Sequence, residues 1–144
     1  MRIEPFGTFD YHPREQLWKA DVDHLSPTHK VELSIGTDHA QADLSDKIKL
    51  LEAFVLDYAS IMERLYQFIY ESYRKTSEAK TLEEIKTMYF LTAVTLQKDN
   101  RTWWLVLEPN FDVPTLYSHF QRFTMVERQI VPLFSLIPCR IRLE

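Results

Sequence analysis

Five histidines, one cysteine and a few clustered carboxylates are the residues of this chain able to bind metal or do nucleophilic or acid–base chemistry. The histidines are His12, His24, His29, His39 and His119, and no two stand four apart, the spacing that puts two imidazoles on one helix face. Asp21, Asp23 and His24 with Asp38, His39 and Asp43 would suit a hard cation if the chain brought them to one end of a strand pair. They follow no ligand spacing, so no metal and no cofactor is assigned. Cys139 stands in a proline-containing apolar stretch with no neighbouring histidine to make it a thiolate. In Ser118-His119 the hydroxyl and imidazole would point to opposite sides of a strand. Glu108 and Asp112 flank Pro109 and form the one candidate carboxylate pair for general acid–base work. Nothing in the pattern requires catalysis.

Binding residues are easier to find. Trp103 and Trp104 are consecutive in a strand-like segment, so one faces inward and the other outward. An outward tryptophan is a good anchor for a protein partner. The net charge of -4 is unevenly placed. Residues 1–43 hold eight acids and four bases, whereas residues 44–144 hold thirteen of each. An acidic surface around Asp21, Asp23 and Asp38 would repel nucleic acid and attract a basic partner.

Composition bounds the class. The 144 residues are 45% hydrophobic and 26% charged, values of one folded domain spanning residues 1–144. Only Gly7 and Gly36 are glycine, too few for a glycine-rich phosphate loop. No apolar run reaches 18 residues, so no membrane helix is expected, and the N-terminal residues do not read as a secretory leader. A single cysteine fits a reducing cytoplasm.

The elements that position these residues follow from periodicity. Trp18, Ala20 and Val22 alternate with Lys19 and Asp21, and Val31, Leu33 and Ile35 alternate with Glu32 and Ser34. With a less regular strand through Phe6, Phe9 and Tyr11, this predicts an antiparallel meander. From Asp43, a plausible N-cap, Leu44, Ile48, Leu51, Val55, Tyr58, Met62, Leu65 and Ile69 trace one helix stripe of about seven turns. Leu50, Phe54, Ile61 and Phe68 widen the apolar arc to roughly 200°, more than one sheet covers. The C-terminal segment, or the same helix of a second subunit in a homodimer, is a candidate cover. Thr81-Leu82-Glu83-Glu84 has the pattern of a capping box and predicts a short helix. Strands then follow: Phe90, Val94 and Leu96 on one face, a turn at 98–101, and strands over 102–108, 117–125 and 128–131. The expected fold is α+β, an antiparallel sheet of six to seven strands with one long amphipathic helix and a short helix packed on it. Residues 132–144 are apolar and interrupted by Pro132 and Pro138; Leu143-Glu144 has the look of a cloning scar.

Two segments resemble a group of small bacterial domains of unknown function that includes immunity proteins of contact-dependent and polymorphic toxin systems. One is Leu17-Trp18-Lys19-Ala20-Asp21-Val22 with Val31-Glu32-Leu33-Ser34-Ile35, similar to a strand pair with a central tryptophan. The other is Tyr117-Ser118-His119-Phe120-Gln121-Arg122-Phe123, similar to a late strand in which His119 is structural. Lys19 and Ser118 stand where those domains often carry glycine. The resemblance implies a non-enzymatic cytoplasmic protein that neutralises a basic toxin domain by direct binding. Asp21, Asp23, Asp38 and one of Trp103 or Trp104 would form its contact surface.

Overall fold

The computed structural model describes residues 1–23, 25–26, 29–110 and 120–131. Expectations for His24, Asp112, Ser118, His119, Cys139 and the 132–144 segment lie outside them. Strands β1 (Arg2–Ile3) and β2 (Gly7–Thr8) form a small ribbon. The main sheet has seven strands in sequence order: β3 (Asp10–His12), β4 (Leu17–Val22), β5 (Val31–Gly36), β6 (Tyr89–Leu96), β7 (Thr102–Pro109), β8 (Gln121–Val126) and β9 (Gln129–Val131). Helices α1 (Ser45–Leu56), α2 (Tyr58–Arg74) and α3 (Leu82–Met88) lie between β5 and β6 in the chain. The fold is α+β, as the alternation of periods implies.

Three details differ from the sequence expectation, each for a local reason. Strands β5 and β6 pair parallel, because the chain leaves the sheet through the helices and re-enters in the same direction. Every other neighbouring pair is antiparallel. Within β6, Thr92 and Ala93 stand against Val106 alone, a bulge that switches the parity of the strand. Tyr89 and Leu91 are therefore buried with Val94 and Leu96, and Phe90 is on the opposite side, stacked on His29 with ring centroids 3.8 Å apart.

The third difference is in the helix, which is two segments interrupted at Asp57 and not one. The Asp57 N–H is shared between the carbonyls of Ala53 and Phe54, both at 3.1 Å. Its carboxylate pairs with Arg128 in the β8–β9 turn, and the Arg128 carbonyl accepts Arg64 Nη1 at 2.5 Å. That turn has positive φ at both Glu127 and Arg128, 47° and 73°. Such a conformation matches the twist of a hairpin but costs a non-glycine residue about 1 kcal/mol. The Glu127–Arg101 and Arg128–Asp57 ion pairs hold it from both sides.

Alternation puts Trp18, Ala20, Val22, Val31, Leu33 and Ile35 on the helix-covered face, with Leu105, Leu107, Phe123 and Met125 continuing it. The apolar residues that widen the helix arc are mostly absorbed by this core. Phe54 stacks on Trp103 with ring centroids 5.0 Å apart, and Ile61 is fully buried. Leu50 is half-buried, and Phe68 is partly exposed, tilted against Phe123. The capping box forms as expected: Thr81 Oγ1 accepts the Glu84 N–H and Glu84 Oε1 accepts the Thr81 N–H. The N-cap of α1 is Leu44 and not Asp43 as expected; Asp43 stands one residue before it and accepts the Ser45 N–H at 2.9 Å.

The tyrosines of α2 set the alkaline limit of this packing. Burial raises the phenol pKa of Tyr58 to about 12, and it also raises those of Tyr66 and Tyr73. Tyr66 donates to the Tyr89 carbonyl, and Tyr73 shares a hydrogen bond with the Tyr89 hydroxyl. A pKa higher in the folded state means the folded protein holds the proton more tightly. That stabilisation is complete below the ordinary value of 10 and is lost as pH rises toward about 12. Cooperative loss of far-ultraviolet circular dichroism, coincident with a late step in phenolate absorbance, is expected between those values. A titration of all tyrosines with the dichroism unchanged through pH 12 would contradict it.

Candidate functional site

The face of the sheet turned away from the helices follows from the same register. One row runs Asp10, Lys19, Ser34, Thr95, Trp104, Thr124 and Val131 across β3 to β9. The next holds Asp21, Glu32, Ala93, Val106 and Arg122. Of the two tryptophans, Trp103 is in the core at 4% exposure and cannot anchor a partner, which corrects its place among the candidate contacts. Trp104 is 42% exposed, with the Arg122 guanidinium 5.1 Å from its ring centroid. This cation–π contact restricts the indole without covering it.

Of the acidic candidates, only Asp21 shares this face with Trp104. Asp23 follows the far end of β4 and pairs with Lys30 at 3.6 Å. Asp38 follows β5 at the opposite end and pairs with Lys98 at 3.3 Å. The two therefore stand apart by roughly the length of a six-residue strand, about 20 Å. The same separation divides Asp21 and Asp23 from Asp38, and among the described residues no three of His, Cys, Asp and Glu converge on a metal position.

The structure adds two carboxylates to Asp21. Asp10 and Glu32 lie on the same face, and among the described residues none of the three has a cation within 4.0 Å. Lys19 lies among them but is directed to Glu15 at 2.8 Å. That hydrogen bond holds the Lys19 pKa up and the Glu15 pKa down, and the field of Glu32 adds to the first effect. The outer face is thus polar in sense: acids without a close ion pair among the described residues on β3–β5, and an aromatic with a guanidinium on β7–β8.

Beside Trp104 is an open groove of about 380 Å³, bounded by Glu15, Leu17, Gly36, Lys98 and Thr102. A Cβ on Gly36 would come within 3.1 Å of the Lys98 backbone nitrogen, so a larger residue there would push the neighbouring backbone by a few tenths of an ångström. Lys98 is occupied by Asp38 and Gln16, so it offers no free cation to a ligand. Of the acid–base pair, Glu108 is half-buried at the end of β7, in register with Phe90. Asp10, Glu32 and Arg122 were not singled out from the sequence, because their common face depends on which strands pair. The alternation within each strand was the only available signal.

Among the described residues no helix is long and apolar enough to cross a membrane. The chain matches no family model, no curated protein and no solved structure.

Proposed function

We propose that this chain is a non-enzymatic protein-binding domain that presents the outer face of its sheet to a basic protein, in the manner of an immunity protein covering a toxin. The observation that carries this reading is Trp104: a large aromatic, restricted by Arg122, on a face that also holds three carboxylates with no ion-pair partner among the described residues. Opposite charge speeds encounter, and a buried aromatic then slows dissociation. The resemblance of the β4–β5 segment to immunity domains supports the same assignment.

The test is affinity capture from a lysate of the source cell with two baits, the native chain and the variant Trp104→Ala/Asp21→Lys/Glu32→Lys. A basic protein recovered in stoichiometric amount by the native bait, released by salt and absent from the variant, is the expected result. A partner retained equally by both baits would place binding elsewhere on the molecule.

A further inference from the structure

The inner face of the sheet is filled, since Phe54, Ile61, Leu65 and Ile69 pack there at 2% exposure or less. On the outer face Asp21, Trp104 and Arg122 remain exposed. One row crosses it from β4 to β8 as Asp21, Glu32, Ala93, Val106 and Arg122. In chemical order it reads acid, acid, apolar, apolar, base, and among the described residues Arg122 has no carboxylate within 4.0 Å. Such a row complements its own reverse. A two-fold axis parallel to the strands, lying over this face, reverses the strand order of a second copy and leaves each row opposite itself. A two-fold across the strands would keep the order and set acid over acid.

The register selects where that axis falls. Between β6 and β7, it brings Arg122 to the partner's Glu32, Val106 to the partner's Ala93 and Trp104 to the partner's Thr95, each twice. On β6 it would set Val106 against Glu32, and on β7 it would set Arg122 against Ala93. We propose that this chain forms a two-fold homodimer by stacking its outer sheet faces, with two Arg122–Glu32 pairs around an apolar centre of Ala93, Val106 and Trp104.

The dimensions suit a reversible contact. Stacked sheets lie about 10 Å apart, a gap that an arginine and a glutamate side chain together span. The overlap runs from β4 to β9, five spacings or about 24 Å, along strands about 20 Å long. That is roughly 500 Å² on each protomer and about 1,000 Å² in all, the lower edge of specific interfaces. Arg122 stays over the Trp104 ring, and the edge of its planar guanidinium still meets a carboxylate in a bidentate pair. The contact needs only this chain and goes beyond the proposed function; a basic partner on the same face would compete with it.

Sedimentation velocity of the full chain, over roughly 1 to 500 µM, tests the dimer in the range such an area implies. The native chain is expected to pass from monomer to dimer with concentration. Arg122→Glu and Glu32→Arg each set like charges together twice, so each should remain monomeric with unchanged far-ultraviolet circular dichroism. Mixed in equal amounts, the two variants regain both opposite-charge pairs, and a heterodimer is expected. Trp104→Ala removes part of the apolar centre without changing charge and should weaken the native dimer at least tenfold. A native chain that stays monomeric, a dimer indifferent to these substitutions, or a mixture that stays monomeric where the native chain dimerises would each overturn the proposal. No other protein is present, so a monomer here leaves the binding function standing, and a failed capture leaves the dimer standing.

Discussion

Replacing Trp103 with alanine is expected to cost about 4 kcal/mol of folding free energy, whereas the same change at Trp104 costs about 1 kcal/mol. The residues are neighbours in β7 and differ only in the side of the sheet they face. Trp103 is 4% exposed and stacked on Phe54 of α1, so its removal leaves a cavity between sheet and helix and strips a face from a buried phenylalanine. Trp104 loses one contact with Arg122 and some half-exposed area. Urea denaturation of the two variants measures the difference directly as midpoint shifts at a common slope. Equal shifts would mean that the outer face is as closely packed as the core. Because Trp104→Ala is well folded on this account, its loss of a partner can be read as loss of binding.

The second large effect is expected at Lys47, the one lysine among the described residues that is buried. It is on α1 between Leu44 and Leu51, in the apolar stripe, and is 7% exposed. Its ammonium donates to the carbonyls of Gln97 and Lys98, at 3.4 and 3.3 Å, and to Asn100 Oδ1. It thus ties the β6–β7 turn to the helix. Burial lowers its pKa, and the fields of Asp99 and Asp38 oppose that shift in part. Methionine at this position fills the volume but leaves three acceptors without their donor, at about 2 kcal/mol; alanine adds a cavity and brings the cost to about 3 kcal/mol. For a chain of this size that lowers the melting temperature by roughly 6 and 10 °C. Faster hydrogen exchange at Asn100 should accompany the loss, because the turn is where the anchor is removed. A methionine variant as stable as the native chain would show that solvent can satisfy the turn unaided.

Much of the fold could be read from local pattern. The strands over 17–22 and 31–36, the capped helix at Thr81 and the turn at Asp99 all depend on side chains within a few residues of one another. What escaped depends on distant partners. The interruption at Asp57 is fastened by Arg128, seventy-one positions away, and the bulge at Thr92 is defined only against Val106. The parallel junction of β5 and β6 follows from where the helices return the chain, which periodicity does not record. The outer face was half legible for the same reason. Alternation puts Lys19 and Asp21 together and one tryptophan outside, but only strand order brings Trp104, Arg122 and Asp21 onto one surface. Lys47 escaped too, because the acceptors that bury it belong to the β6–β7 turn, fifty or more positions along the chain.

The parallel junction also has a kinetic meaning. On either side of it the sheet is built from neighbours in sequence, β3–β5 and β6–β9, which can form as hairpins within microseconds. Joining them requires the chain from Thr37 to Met88 to close into a single loop, costing roughly 2 kcal/mol more in chain entropy than a hairpin turn of about five residues. The average contact order of the molecule is therefore dominated by one seam. The rate-limiting barrier to folding is expected at that seam, so that mutations across the β5–β6 pairing should slow folding more than mutations within either meander.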